Sequence, residues 1–197
     1  VGYTDKAVKV REAMDIAINR QAIVEQLFLG HGKPIAMPFF WDTPGAPWYN
    51  PAWKVRPFDP DRARKLLKEA GYPNGFSMSA WLAELENNYL NDDIMEAIAG
   101  MWEKELNIKV TPKRGQYNPT VRENFLRRSW RDSAFTYSSV SSGGHQYTFG
   151  GSSCSVCVLA YFEHSITDAL LREAGGVLDL QKAAEISRRF GDFQYFN

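Results

Sequence analysis

Residues 57–76 read PFDPDRARKLLKEAGYPNGF and contain the signals of one complete helix. Asp59 is a natural N-cap, and Pro60 suits the first helical position because its missing N–H would have no partner there. Apolar residues then recur at helical spacing, Gly71 ends the helix, and Pro73 prevents its continuation. This stretch predicts a helix that begins at Pro60 and ends before Gly71.

The sequence before this helix has two different characters. Residues 8–29 carry apolar side chains at helical spacing and predict two helices, the second of which ends at Gly30 and Gly32. Residues 33–57 combine many prolines with phenylalanine, tyrosine and tryptophan. Proline at this density excludes a helix or a central strand, and the aromatic residues indicate a loop that packs against the rest of the protein.

The sequence after this helix alternates between strand and helix patterns. The helix predicted between the second and third strands has Asn118 as its cap and Pro119 in its first turn. Two more helices are predicted after the third strand, and they open at Ser165 and Asp179. Strands that alternate with helices favour parallel pairing within one sheet. The predicted strands are 76–82, 107–112 and 132–137, and the predicted helices between them are 92–106 and 119–129.

Composition excludes some classes of protein. The 197 residues include 23 basic side chains (lysine and arginine) and 23 acidic ones (aspartate and glutamate), so the formal net charge is zero. A nucleic-acid-binding protein would normally show a basic excess, and none is present. The sequence also lacks any apolar run near the ~20 residues of a transmembrane helix.

Motifs for catalysis are missing from the sequence. There is no G-x-S-x-G, H-E-x-x-H, P-loop or dinucleotide-binding fingerprint. Residues 30–33, GHGK, follow a predicted helix instead of opening one, so they indicate a helix-ending turn and not a phosphate-binding loop. We therefore expect no catalytic residue and no cofactor.

The two cysteines, Cys154 and Cys157, form a C-x-x-C pair. The spacing is compatible with a disulfide, a redox motif or two reduced thiols. A zinc site would need two more ligands, and the nearby His145 and His164 do not complete a known finger spacing. We expect both cysteines to lie in a loop and to bind no metal.

A long loop rich in serine and glycine follows the third predicted strand. In an open α/β sheet, ligands usually bind at the carboxyl ends of the strands, and this loop leaves such an end. A histidine in such a loop is more often a surface residue than a ligand contact. The nearby end of the strand makes a ligand contact less improbable, but a surface position stays the more frequent case. The predicted ligand-binding residues are Tyr137, Ser138, Ser139, Ser141, His145 and Tyr147.

Residues 57–76 closely resemble the signature "YDPEKAKKLLAEAGYPDGF" of the family 5 solute-binding proteins, which serve dipeptide, oligopeptide and nickel importers. Residues 10–24, VREAMDIAINRQAIV, are similar to that family's "VRQAIAYAIDREAIV", and residues 30–34 to its "GxGxP" turn. Residues 106–110, LNIKV, resemble "LGIKV", and residues 166–174, ITDALLREA, resemble "VDALLDEA". The resemblance extends in the right order over nearly the whole chain.

The resemblance implies a fold and a domain organisation. We expect residues 1–197 to form a three-layer α/β lobe with a small mixed sheet flanked by helices. It would be one lobe, the carboxy-proximal one, of a clamp like the type II periplasmic binding proteins, in which a ligand is buried between two lobes. A lobe without its partner is expected to expose an aromatic surface, formed by the Phe39–Trp53 loop and the residues after Ser138.

The family's ligand-contacting segment typically reads "GWxADxxDP", whereas residues 137–145 here read YSSVSSGGH. The tryptophan and the aspartate are missing, which argues against a peptide held by its free amino terminus. Serines could instead hydrogen-bond a neutral polar solute, and His145 could meet an anion or a metal. Because the family is exported, the resemblance favours a disulfide between Cys154 and Cys157.

The resemblance implies solute capture for an ABC importer. The partners would be a peptide or other small polar solute, the membrane permease and the first lobe of the same protein, with no nucleic acid. The location would be periplasmic or extracellular, with lipid anchoring left open. The alternative is a sensor or interaction module that uses a truncated solute-binding lobe outside transport. An enzyme built on this lobe is the least favoured interpretation.

Overall fold

The structure is a computed structural model that describes residues 3–37, 43–84, 90–127, 129, 133–135 and 163–197. Helices and three strands alternate along these ranges. The helices are α1 (Asp5–Ile16), α2 (Arg20–Leu27), α3 (Pro60–Glu69), α4 (Asn91–Leu106), a π-helical segment (Tyr117–Arg122), α5 (Glu123–Leu126), α6 (Ser165–Ala174) and α7 (Leu180–Phe196). The strands are β1 (Ser77–Glu84), β2 (Lys109–Gln116) and β3 (Ser133–Phe135).

The three strands form one parallel sheet in the order β2-β1-β3. This confirms the prediction that all three share a sheet with helices as the crossovers. β2 continues to Gln116, four residues beyond its predicted end at Pro112. Proline is tolerated there because β2 lies at an edge of the described sheet. An antiparallel strand, which a mixed sheet requires, does not occur among these three strands.

The segment after β2 differs from the prediction. The sequence predicts a helix over residues 119–129 with Asn118 as its cap, but the chain forms a π-helical segment from Tyr117, capped at Gln116, and then the single turn of α5. A π-helix pairs each N–H with a carbonyl five residues back, so the first N–H groups have no partner. Pro119, the third residue, therefore loses no hydrogen bond in this position.

The first hydrophobic core lies between the sheet and helices α1, α3 and α4. The buried side chains of β1 alternate, with Ala80 and Leu82 facing this core. The indole of Trp102 on α4 is also buried, and its Nε1 donates a 2.8 Å hydrogen bond to the carbonyl oxygen of Met14. The core thus ties the first helix of the chain to the helix that covers the sheet. None of the described helices combines the length and apolar character that crossing a membrane requires.

The helix ends confirm several cap predictions. The Asp59 carboxylate accepts a 3.0 Å hydrogen bond from the backbone N–H of Arg62, and Pro60 is the first residue of α3. Asp179 caps α7 in the same way, through the N–H of Lys182 at 2.8 Å. α6 begins at Ser165, as predicted, and its cap is His164, whose imidazole accepts a hydrogen bond from the Ile166 N–H.

A second hydrophobic core contains the described part of the aromatic loop. Trp53 is only 2% exposed and packs with Met37 against α6 and α7, where it meets Phe190. Trp48 and Tyr49 are partly buried against the same cluster. The expectation that this loop exposes an aromatic surface is therefore wrong for residues 43–53, because α6 and α7 cover the rings. Residues 39–41 and the residues after Ser138 lie outside the described ranges.

Candidate functional site

The carboxyl ends of the three strands meet at one edge of the sheet. Because the strands are parallel, β1 ends beside β2 with Glu84 opposite Gln116, and β3 ends at Phe135 opposite Trp81. This edge of an open α/β sheet is where ligands usually bind. The π-helical segment follows β2 at this edge, and the serine-rich segment follows β3 in the sequence, so this edge is the candidate functional site.

The predicted ligand residues follow β3 directly in the sequence. Tyr137 is two residues beyond the last residue of β3, Phe135, in the sequence. Tyr137, Ser138, Ser139, Ser141, His145 and Tyr147 themselves lie outside the described residues, as do Cys154 and Cys157. Their roles remain predictions.

Trp81 is a residue at this edge that sequence reasoning did not select. It lies on the middle strand, in register with Lys113 of β2 on one side and Phe135 of β3 on the other. Its neighbours Ala80 and Leu82 are buried in the first core, so the indole lies on the opposite face of the sheet. The alternation of polar and apolar residues along β1 was the available signal, since it assigns Ser79 and Trp81 to the second face.

The neighbour of Trp81 on β2 is a cation. The ammonium nitrogen of Lys113 lies 5.7 Å from the centre of the Trp81 ring, within the range of a cation–π contact. Among the described residues, no carboxylate lies close enough to Lys113 to form an ion pair. The second face of the sheet therefore presents an aromatic ring and a positive charge side by side.

Gly115 makes room for this ring. A Cβ atom at Gly115 would lie 3.2 Å from Cζ3 of Trp81 and 3.3 Å from the side chain of Thr120. Contacts this short are closer than ordinary van der Waals packing, so a larger residue would displace the ring or the π-helical segment. The indole is partly buried and held between β2 and this segment.

The adjacent cation, Arg114, faces the other way. It forms ion pairs with Asp92 at 2.5 Å and with Glu96 at 3.1 Å, both on α4. Successive residues of a strand point to opposite faces, so Arg114 is neutralised on the core side while Lys113 is left on the Trp81 side. The two cations therefore lie on opposite faces of the sheet.

A cavity of about 700 Å³ lies elsewhere, between α1 and the end of α7. Its charged lining consists of Arg11, Glu12, Asp15, Arg20, Arg56 and Arg62. Arg11 donates a 2.8 Å hydrogen bond to the carbonyl oxygen of Asn197, and Arg56 donates a 2.7 Å bond to that of Tyr195. Burial lowers the pKa of the Arg11 guanidinium. Cations on the last carbonyls of a helix stabilise its end, so we assign these arginines to anchoring α7.

Comparisons with known proteins agree with this architecture. The model of the family described as "Bacterial extracellular solute-binding proteins, family 5 Middle" matches residues 4–152. Heme-binding protein A of Haemophilus influenzae is 30% identical over 94% of this chain and 35% of its own length. The glutathione-binding protein GsiB of Escherichia coli (strain K12) is 49% identical over 73 residues, which are 37% of this chain and 14% of GsiB.

Solved structures give the same picture. HbpA2 from Haemophilus parasuis superimposes with a TM-score of 0.76 and 26% identity, over 96% of this chain and 38% of that one. A dipeptide-binding protein from Pseudoalteromonas sp. SM9913, solved with Met-Leu, gives a TM-score of 0.77 at 22% identity over 95% of this chain and 37% of that chain, which shows the shared fold. The chain spans about a third of the length of these relatives. This chain belongs to family 5 of the bacterial extracellular solute-binding proteins.

Proposed function

We propose that this chain forms part of the substrate-binding component of an ABC importer. In this role it captures a small solute outside the cytoplasmic membrane and delivers it to the permease. The observation that carries the proposal is the membership of family 5. The parallel sheet supports it, because the predicted ligand segment follows β3 in the sequence. The chain belongs to a family of binding proteins and is not an enzyme.

The domain assignment is part of this proposal. Residues 1–197 form a single lobe, and a second lobe of the same protein closes over the solute by a hinge motion. The two hydrophobic cores support the assignment to a folded lobe, since burial of apolar surface is what stabilises a domain. The relatives are between two and three times longer, which leaves room for the second lobe.

The proposal names the chemical class of the solute and not one compound. The relatives are named for heme, glutathione and a dipeptide, so the family fold accommodates ligands of very different shape. The segment YSSVSSGGH lacks the aspartate that would hold a free amino terminus. We therefore favour a small polar solute or a peptide that is bound without that contact. DppA from Helicobacter pylori, which has a similar fold, is described as a periplasmic binding protein, and this supports a periplasmic location for the present protein.

The proposed site is the carboxyl edge of β3 with Tyr137, Ser138, Ser139, Ser141, His145 and Tyr147. The test begins with mass spectrometry of the solute that co-purifies with the full-length protein. Each of the six residues is then changed to alanine, and the affinity for that solute is measured by calorimetry. We expect weaker binding with little change in melting temperature. Unchanged affinity in all six variants would remove this segment from the site.

The matched control for these variants is Ser77→Ala. Ser77 is an exposed residue at the amino end of β1, about eight residues of strand away from the carboxyl edge. It therefore shares the sheet but not the proposed site. A loss of affinity in this control would indicate a general effect on the lobe. A full-length protein that carries no solute and binds none from a panel of glutathione, hemin and Met-Leu would contradict solute capture and favour the interaction module.

A further inference from the structure

We propose that Asn74 is a site of spontaneous deamidation and that the folded turn around it holds the reaction back. An isoaspartate formed at this position does not fit the fold. Residues 74–75 are the one Asn-Gly pair in the sequence. Asn74 is exposed, so water reaches its side chain. The inference concerns the stability of the lobe and is independent of the solute.

The reaction needs two neighbouring groups and water. The backbone nitrogen of Gly75 loses its proton and attacks Cγ, the side-chain amide carbon of Asn74. A bond forms between this nitrogen and Cγ, the bond from Cγ to Nδ2 breaks, and the amino group takes up a proton and leaves as ammonia. Water then opens the cyclic imide at either of its carbonyl groups and gives aspartate or isoaspartate. Glycine favours the attack because it has no Cβ to hinder its nitrogen.

The turn that contains Asn74 keeps the reacting groups apart. The Gly75 N–H donates a 3.2 Å hydrogen bond to the carbonyl oxygen of Tyr72, and φ of Asn74 is negative. With Pro73 in the second position and glycine in the fourth, this is the pattern of a type I turn. In such a turn ψ of the third residue is about 0°, which directs the Gly75 nitrogen towards the backbone nitrogen of Asn74 and away from its Cβ. Ring closure therefore requires a large rotation about ψ of Asn74.

A second contact fixes the same torsion. The Nδ2 amide of Asn107 donates a 2.7 Å hydrogen bond to the main-chain carbonyl oxygen of Asn74. Rotation about ψ moves this oxygen and the Gly75 nitrogen together, so ring closure breaks both hydrogen bonds. The chain is also crowded here, since a Cβ at Gly75 would lie 2.1 Å from the Asn107 carbonyl oxygen. The turn must therefore open locally before Asn74 reacts.

The two products differ in how they fit this crossing. Aspartate keeps the backbone of Asn74, and the family 5 signature reads YPDGF where residues 72–76 read YPNGF. In isoaspartate the main chain runs through Cβ and Cγ, which inserts an extra atom before Gly75. Because Gly75 lies directly against Asn107, the longer chain displaces the turn or the start of β1. Isoaspartate should therefore destabilise the lobe, whereas aspartate should not.

The test incubates the full-length protein at mildly alkaline pH, once folded and once in concentrated guanidinium chloride. Peptide mass spectrometry measures the conversion of amide to acid at Asn74 and at Asn107, the internal control, which precedes the β-branched Ile108. In denaturant, Asn74 should react at least about tenfold faster than Asn107. In the folded protein, Asn74 should react at least about tenfold more slowly than in denaturant. Equal rates in either comparison would overturn the inference.

A variant then assigns the protection to the turn. Asn107→Gly removes the amide donor to Asn74 and tolerates the left-handed backbone at residue 107, where φ is 53°. It should accelerate deamidation of folded Asn74 by at least about threefold, since one hydrogen bond is lost, and leave the rate in denaturant unchanged. If this variant does not fold, Asn107→Asp takes its place, because it also lacks the donor and adopts the left-handed conformation.

Asn124→Ala is the matched control. The Asn124 amide also donates to a backbone carbonyl, that of Thr120 at 2.9 Å, but in a different part of the fold. Its loss should leave the Asn74 rate unaltered. Equal acceleration by Asn124→Ala and Asn107→Gly, or no acceleration by either position 107 variant, would overturn the role of the turn.

The fate of the product is tested with protein that has been aged in denaturant and then refolded. Asn74→Asp, aged in the same way, controls for damage elsewhere in the chain, and peptide chromatography gives the isoaspartyl fraction. We expect the parent protein to lose melting temperature or refolding yield in proportion to that fraction, and Asn74→Asp to lose neither. Equal melting temperatures and yields would overturn the claim that isoaspartate does not fit.

Discussion

The indole Nε1 of Trp53 donates a hydrogen bond of 3.0 Å to the Asp192 carboxylate. The same carboxylate oxygen accepts a bond from the Asn50 amide. Trp53 lies in the proline-rich loop, and Asp192 lies on α7, 139 residues later in the chain. This contact therefore closes the second core and fixes the loop onto the last helix.

Asp192→Ala should destabilise the protein by about 1–3 kcal/mol, because it leaves the buried Trp53 N–H without its acceptor. The free energy of unfolding is measured by urea denaturation. Glu185→Ala is the control, since Glu185 is an exposed residue of the same helix, and it should change stability by less than about 0.5 kcal/mol. Equal effects of the two variants would show that the hydrogen bond contributes nothing specific.

Local signals in the sequence predicted the elements better than their packing. Asp59 and Pro60 indicated the start of α3 correctly because a cap depends only on residues within one turn. The packing of the aromatic loop against the protein was predicted and is confirmed, but the burial of Trp53 against the last helix was not predictable. It depends on Phe190, which is distant in sequence, and composition could not distinguish a buried core from an exposed lobe interface.

Asp59→Ala tests the cap that the sequence predicted. Loss of the side-chain acceptor for the Arg62 N–H should cost about 1 kcal/mol of stability. Asp59→Asn retains an acceptor oxygen and should cost less. Thermal unfolding followed by circular dichroism measures both. If the asparagine and alanine variants unfold at the same temperature, the cap is not what stabilises this helix end.

Gly75 and Gly100 lie in opposite backbone environments, so the same glycine-to-alanine substitution should have opposite effects on stability at the two positions. At Gly75 φ is +72°, and a Cβ would lie 2.1 Å from the carbonyl oxygen of Asn107. Gly75→Ala should therefore cost more than about 2 kcal/mol, since it combines a left-handed backbone with a steric overlap. Gly100 lies inside α4 with nothing near its Cβ position.

Gly100→Ala should stabilise the protein by about 0.5–1 kcal/mol, because alanine has the higher helix propensity. Urea denaturation of both variants measures the two effects, which have opposite signs. Destabilisation by Gly100→Ala would contradict an open helical position at residue 100, and tolerance of alanine at residue 75 would contradict the left-handed backbone there.

The ion pair between Lys9 and Glu69 predicts a measurable pKa shift. The ammonium group donates to the carboxylate at 2.8 Å and holds the pKa of Glu69 below its usual value. A lowered pKa in the folded state favours folding above the unfolded-state pKa, and this contribution is lost as the pH falls through the folded-state pKa. Both groups are exposed, so the effect on stability is small.

Lys9→Met should raise the pKa of Glu69 towards its ordinary value, as measured by NMR titration of the side-chain carboxyl carbon. High salt should produce a partial shift in the same direction, because it screens exposed charges. A Glu69 pKa that is the same in the variant and the parent protein would show that the two side chains do not interact in solution.

The sequence predicted the sheet edge at which the candidate site lies, and ligand binding at that edge stays a prediction. An alternating strand and helix pattern indicated the carboxyl edge of the sheet, and the parallel pairing confirms that edge. The sequence did not single out Trp81, since a tryptophan in a strand is as often a core residue. The surroundings of its ring include Lys113 and Gly115 of the neighbouring strand, and such cross-strand contacts depend on the register.

The central claim is that this chain is one lobe of a two-lobed solute-binding protein. A ligand in such a site has ~70–90% of its surface buried, and one lobe covers only about half of it. Losing half the contacts costs several kcal/mol, and each ~1.4 kcal/mol is a tenfold loss in affinity.

The most direct measurement is calorimetry of the co-purifying solute with two proteins: the two-lobed protein, and residues 1–197 alone after circular dichroism has shown that they fold. A two-lobed clamp predicts that residues 1–197 bind at least about a hundredfold more weakly. Equal affinities would contradict it, because the whole site would then lie within this lobe.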